Sequence, residues 1–166
     1  MSQAEHKAAA PKAIRIFVLT ASDTRGEADD KSGAFLRSAA AQAGHELVGY
    51  QVVKDEPAAI CAALEAAHGS GAQVIVANGG TGISVRDRTY EAVAGVLEKR
   101  LDGFGELFRM LSYADIGSAA MLSRAVGGVW RGVVIFSLPG STGAVKLGWE
   151  KLIAPEIGHL VGELSK

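Results

Sequence analysis

The sequence predicts an α/β fold, a three-layer α/β/α sandwich on a mostly parallel sheet, and three observations carry that expectation. Short apolar runs rich in β-branched residues alternate with segments whose apolar residues recur every three to four positions, the pattern of strands joined by crossover helices. The strand-like runs are apolar at consecutive positions, as strands covered on both faces require. The chain has 166 residues, with neither an internal repeat nor a composition shift. One domain accommodates that length, and folding at this size buries roughly 70% of the surface exposed by the unfolded chain.

Residues 1–12 are alanine-rich and charged and have no periodic apolar face. They are expected to form a flexible tail, removable with little change in melting temperature, ahead of a single domain over residues 13–166. The run Ile14 to Leu19 reads as the first strand, followed by a polar loop from Thr20 to Asp30. Phe35, Leu36, Ala39, Ala40 and Ala43 then recur at helical spacing, with Gly44 placed to end the helix. Leu47 to Val53 is the second strand; after Asp55-Glu56-Pro57 a helix follows with Ile60, Leu64 and Ala67 on one stripe. Val74 to Ala77 is a short strand running into Asn78-Gly79-Gly80-Thr81-Gly82, too rich in glycine to continue it. Thr89 to Leu101 reads as a helix and Phe104 to Leu111 as a shorter one, while Ser118 to Ala125 has no clear pattern. Gly132 to Leu138 is the next strand, broken by Pro139-Gly140-Ser141 before a helix with Val145, Trp149 and Leu152; Pro155 restarts a last helical segment.

Charge and cysteine content narrow the function classes. Lys and Arg total 17 against 18 for Asp and Glu, so no positive excess is available to follow a nucleic-acid backbone. The single Cys61 has no partner in the chain, and no Cys/His cluster has zinc-ligand spacing; both point to a reducing compartment, the cytoplasm, and to no structural zinc. The N-terminus lacks the apolar core of a signal peptide and no run is long enough for a bilayer, so a soluble protein without a membrane partner is expected.

In open α/β sheets ligands bind beyond the carboxyl ends of the strands. That rule selects the loops holding Ser22 and Asp23, then Asp55, then Gly79 to Asp87, and Pro139, Gly140 and Ser141. Glycines there offer backbone N–H groups to an anion and carboxylates offer oxygens to a cation, which suits a phosphate-bearing ligand with magnesium. The loop Gly79-Gly80-Thr81-Gly82 lacks the Gly-Lys-Ser/Thr of a Walker A motif, and the first strand does not lead into Gly-x-Gly-x-x-Gly. Nucleoside-triphosphate folds of the first kind and nicotinamide dehydrogenases are therefore disfavoured. Taken singly, Asp23 suits a turn, Asp55 a cap for the helix at Pro57 and Asp87 a cap for the helix at Thr89; their common location around a glycine loop favours a site. Arg86 and Arg124 are candidates to neutralise phosphate. The four histidines are scattered and receive no role, and Trp130 and Trp149 suit the core or an interface.

Leu19-Thr20-Ala21-Ser22-Asp23-Thr24-Arg25, Asp30-Lys31-Ser32-Gly33, Gly79-Gly80-Thr81-Gly82 with Arg86-Asp87, and Leu138-Pro139-Gly140-Ser141 together resemble the MoaB/MogA molybdopterin adenylyltransferases. The resemblance spans Ile14 to about Leu160. Gly103 to Arg109 and Ile116 to Arg124 look more like the MoaB branch. It implies a magnesium-dependent transfer of AMP from ATP to the terminal phosphate of molybdopterin, releasing pyrophosphate. Asp55 and Asp87 match the family's acidic positions for catalysis and metal handling, and Ser118 lies in the segment matching its pterin-binding region. The glycine loop and Pro139 to Ser141 would cradle nucleotide and phosphates. The resemblance also implies other molybdenum cofactor biosynthesis proteins as partners and, together with the apolar content of Phe104 to Val129, a homotrimer or homohexamer. The alternative is a protein that holds molybdopterin or its adenylylated form without turnover. Two positions depart from the family: Asn78 stands where Thr is common, and Thr142 where Pro is common.

Overall fold

The computed structural model describes residues 2–166. Six strands form one sheet in the order β2-β1-β3-β6-β5-β4. The strands β1 (Arg15–Ala21), β2 (Glu46–Val53), β3 (Val74–Asn78) and β6 (Val133–Leu138) are parallel; β5 (Val126–Trp130) and β4 (Lys99–Arg100) complete the sheet antiparallel. The mostly parallel α/β architecture expected from the sequence is therefore the one observed.

Alternate residues of the central strands feed two separate cores, as the period of two in a strand requires. Ile16 and Val18 of β1, Val74 and Val76 of β3, and Val134, Phe136 and Leu138 of β6 pack on one face. There they meet α2 (Lys31–Gln42), α5 (Asp102–Ile116), α6 (Thr142–Gly148) and α7 (Ala154–Leu164). Phe17, Leu19, Ile75, Ala77, Val133 and Ile135 face the other way, under α3 (Pro57–Gly69) and α4 (Thr89–Val96). Trp149 belongs to the first core and Trp130 to the second. Each fully buried aliphatic side chain contributes roughly 1.5–3 kcal/mol relative to exposure, so a strand supplying both layers anchors the whole molecule.

The structure corrects one helix boundary and adds detail in two other segments. The helix from Thr89 stops at Val96 rather than Leu101, because Leu97 turns extended and leads into β4. The unpatterned stretch after Ile116 is a tight helical run over Gly117–Leu122, followed by β5, whose Gly127-Gly128 pair hides the strand signal. Both glycines serve packing: a Cβ at Gly128 would collide with Lys99 O, and one at Gly127 would press on Phe104 and Phe136. A two-residue turn at Arg131 and Gly132, both at positive φ, joins β5 to β6, as right-twisted hairpins favour. Within the segment expected as a tail, residues 3–8 are helical. Ser2 caps the helix α1 (Gln3–Ala8) in a capping box with Glu5, and Lys7 pairs with Glu156 of α7. No residue of α1 is buried, and it meets α7 through His6 with Glu163 and Lys7 with Glu156; Met1 lies outside the described residues. Among the described residues no helix is long and apolar enough to cross a membrane.

Parallel register sets the position of the rim. Thr20 of β1 lies beside Asn78 of β3, which lies beside Leu138 of β6, while Ala21 lies beside Val53 of β2. The four loops chosen from the sequence consequently emerge level with one another.

Candidate active site

The glycine loop is fixed by contacts that leave no room for side chains. Gly79 and Gly80 have φ of 96° and 64°, the left-handed region where a side chain is strained. Gly79 N–H donates to Leu138 O at 2.9 Å. A Cβ on Gly79 would strike Ala21 O, and one on Gly80 would strike the Asp55 carboxylate and Thr89 Oγ1. A Cβ on Gly140 would stand 2.6 Å from Arg25 Nη2 and 3.1 Å from Gly79 Cα, so the glycine loop and the Pro139–Gly140–Ser141 turn touch directly.

A buried polar network holds this junction. Asn78 Nδ2 donates to Thr20 Oγ1 at 2.9 Å and to Leu19 O at 3.3 Å, and its Oδ1 accepts Ser32 Oγ at 2.7 Å. The departure from Thr at this position thus ties the end of β3 to β1 and to the first turn of α2. Asp30 caps α2 through Gly33 N–H at 3.1 Å and accepts Tyr50 OH at 2.5 Å. Burial works to raise the Asp30 carboxyl, but hydrogen bonds from Thr20, Tyr50, Gly33 and Ser32 outweigh it and hold the pKa below the usual value. Arg25 lies 3.6 Å from Asp30 and donates to Ser32 Oγ at 3.0 Å and Gly140 O at 3.1 Å, carrying the network to the second loop. Ser141 Oγ accepts Ala144 N–H at 3.2 Å and starts α6.

The three candidate carboxylates sit together on the rim with different hydrogen-bond partners. Asp23 forms a two-pronged pair with Arg86, at 2.8 and 2.9 Å, and its Oδ1 also accepts Asp55 N–H at 3.1 Å. The guanidinium holds the Asp23 carboxyl down at about 2. Asp55 is buried, and its Oδ1 accepts Arg88 N–H and Thr89 Oγ1, each at 3.1 Å. Burial raises its pKa, with Asp87 and Asp23 adding like-charge repulsion that the two hydrogen bonds oppose. Asp87 Oδ2 accepts Ser84 N–H at 2.9 Å and Ser84 Oγ at 2.6 Å. The capping assignments made from sequence are thereby corrected. Asp55 bonds the start of α4 rather than of α3, which has no side-chain cap, and Asp87 closes the turn at Ser84 rather than capping α4. Asp55 Oδ2 and Asp87 Oδ1 accept no hydrogen bond among the described residues.

Both candidate arginines are engaged within the chain. Arg86 also reaches Glu56 at 3.4 Å. Arg124 donates to Thr81 O, Gly82 O and Asp87 O at 3.2, 2.8 and 3.1 Å and pairs with Glu91; it acts as a strap across the glycine loop.

A pocket of about 310 Å³ opens between the loops, within the range of small-molecule sites. Gly80, Thr81, Gly82, Asp87, Pro139, Gly140 and Ser141 supply its polar side. The opposite wall is mostly apolar and comes from α5 and the turn after it, through Phe108, Ile116, Ala120 and Leu122 with Ser112 and Ser123. Ser118 is exposed and does not line this pocket, although its neighbours Ala119 and Ala120 do. Asp87 is shared with a second hollow of about 460 Å³, which Arg124, Arg88 and Glu91 also line. Ser22, Asp23, Asp55 and Arg86 stand outside the first pocket; Ser22 Oγ accepts Arg25 N–H at 3.0 Å and shapes the first loop. Sequence reasoning missed the α5 wall. The available signal was Ser112, a polar residue on the same buried face as Phe104 and Phe108. Ser123 Oγ is buried with no hydrogen-bond partner among the described residues, which leaves it available to a bound molecule.

Comparison with known proteins places these features in a wider group. Residues 16–159 match the family described as "Probable molybdopterin binding domain". Molybdenum cofactor biosynthesis protein B of Bacillus cereus is 52% identical, covering 100% of this chain and 99% of its own. A crystal structure of a molybdenum cofactor biosynthesis protein B superposes with a TM-score of 0.90 at 51% identity, covering 94% of this chain and 98% of that one. The tungsten cofactor synthesizing protein MoaB from Pyrococcus furiosus follows at 0.88 and 42% identity, covering 95% and 100%.

Proposed function

Because the chain belongs to the MoaB/MogA family of molybdenum cofactor biosynthesis proteins, we propose that it binds molybdopterin and ATP and transfers AMP to the pterin's terminal phosphate. The observation that carries the reading is the pocket itself: a glycine loop and a Pro-Gly-Ser turn face an apolar wall, with the Asp87 carboxylate in the lining and Asp55 just outside it against Gly80. The polar side suits phosphates, which backbone N–H groups bind without side chains in the way. The apolar wall suits a flat ring system. A phosphate oxygen of molybdopterin attacks the α-phosphorus of ATP, the bond to the bridging oxygen breaks, and pyrophosphate leaves. The attacking oxygen is already ionised at neutral pH, so no strong base is needed and positioning with charge neutralisation is the main requirement.

Asp55 and Asp87 fit magnesium on the chemistry of their donors. Each keeps a carboxylate oxygen without a hydrogen bond, and Asp55 is buried beside like charges that a cation would offset. Magnesium supplies charge stabilisation to the transferred phosphoryl group when bound. Arg124 holds the glycine loop in shape, and Arg25 fixes the second loop against it. An assembly of threefold symmetry, trimer or hexamer, is part of the same reading.

Incubating the protein with molybdopterin, ATP and magnesium and assaying for the adenylylated pterin tests the reaction, with ATP calorimetry run with and without the metal. Product that requires the protein supports it. Pterin binding without product would leave a carrier instead, and absence of ATP binding in either condition would remove the nucleotide from the reading.

A further inference from the structure

The helices α1 and α7 lie side by side and gather three side chains remote from the pocket. His6, His159 and Glu163 each present one ligand atom, and these three atoms lie within 4.8 Å of one another. Glu163 Oε1 stands 3.5 Å from His6 Nδ1 and 3.6 Å from His159 Nε2. Around a tetrahedral zinc ion with bonds of about 2.0–2.2 Å, neighbouring ligand atoms stand roughly 3.3–3.6 Å apart. These two edges therefore need only small adjustments of side chains that are partly exposed. His159 and Glu163 are one helical turn apart on α7 and share a face.

Two further contacts favour a cation here. The other nitrogen of His159, Nδ1, meets Glu156 Oε2 at 3.1 Å. A carboxylate behind a ligand histidine fixes the tautomer and leaves Nε2 free to bind metal. Lys166 Nζ lies 3.1 Å from His6 Nδ1 and 2.5 Å from Glu163 Oε1. An ammonium has no acceptor, so His6 Nδ1 offers it a lone pair, and the cluster already accommodates positive charge. The Lys166 side chain is about half exposed and can turn to solvent when a cation takes its place.

We propose that His6, His159 and Glu163 form a site for a zinc-type divalent cation that clamps α1 to α7. Two imidazoles and one carboxylate suit zinc or cobalt far better than magnesium or calcium, which prefer oxygen ligands. Three protein ligands leave the fourth position to water. The sequence pointed away from zinc because local spacing was the criterion, whereas these ligands come from opposite ends of the chain.

The test uses the full chain, stripped with a chelator and then titrated with Zn²⁺ by calorimetry and with Co²⁺ by visible absorption. One ion per chain is expected, with intense d–d bands of four-coordinate cobalt. His6→Ala, His159→Ala and Glu163→Gln should each weaken binding by about tenfold or more. His68→Ala and Cys61→Ser should leave it unchanged, which separates this site from the other nitrogen and sulfur donors. Zn²⁺ should slow tryptic cleavage after Lys12 in the wild type and not in His6→Ala, and melts in chelator verify that each variant is folded. Absence of binding to the wild type, or wild-type affinity in all three ligand variants, would overturn the proposal.

Discussion

Asp55 carries its charge where burial and two neighbouring carboxylates disfavour it. The native state therefore keeps the proton to higher pH than the unfolded chain, whose carboxyl starts from 3.8. Stability falls as pH rises from about 4 through the raised value, and the whole deficit is present above it. Asp55→Asn keeps an Oδ1 acceptor for Arg88 N–H and Thr89 Oγ1 and loses the charge. Its melting temperature is expected to equal or exceed the wild-type value at pH 7, with the difference shrinking toward pH 4; a lower melt at pH 7 would contradict this account. Asp23 runs the opposite way, since its pairing with Arg86 is lost only as pH falls through about 2. On activity, Asp55→Asn and Asp87→Asn should each lower adenylylated-product formation by roughly 10²-fold or more, because a metal clamp contributes several kcal/mol to the transition state. Wild-type rates in both variants would remove the pair from catalysis.

The glycine loop shows how an element can be severely constrained without any side chain of its own. Gly80→Ala puts a Cβ against Asp55 and Thr89 at a φ of 64°, and it should cost about 1–3 kcal/mol of stability along with most ligand binding. Denaturant titration beside ATP calorimetry checks both, and an unchanged midpoint would mean that the loop yields. At the other edge, α1 buries no residue and rests on surface pairs, which are worth only about 0–1 kcal/mol each. Deleting residues 1–12 should thus move the melt by a few degrees at most in chelator; a large loss would mean that α1 is integral to the fold. Much of this scale was legible beforehand. Doubly buried strands such as β1 and β3 are apolar without a break through Ile16 to Leu19 and Val74 to Ala77, and the strand-end rule located the glycine loop, the Pro139 turn and the acidic loops. What escaped was decided by tertiary contact. β5 is interrupted by glycines that make way for Lys99 O, Phe104 and Phe136, and α1 owes its place to charges on α7. The engagement of Arg86 with Asp23 and of Arg124 with the glycine loop crosses between loops, beyond the reach of local pattern.

Across the molecule, one surface is out of balance with the rest. Leu107, Met110, Tyr113 and Ile116 are exposed along α5, and Met121 and Leu122 are exposed in the turn that follows it. Such an apolar strip usually marks a self-association surface. The proposed threefold assembly predicts a trimer or hexamer in light scattering at micromolar concentration and a smaller species for Met110→Asp. A monomeric mass in the wild type would rule the assembly out. Ile116 and Leu122 are also walls of the pocket. A neighbouring copy seated on the strip would therefore touch the same side chains as the ligand, and the two binding events would share free energy. Linkage makes such coupling reciprocal: if the ligand tightens the assembly, dilution must weaken the ligand. Apparent affinity should then drift with protein concentration across the dissociation range and level off on either side, so titrations at a single concentration would record only one point on that curve.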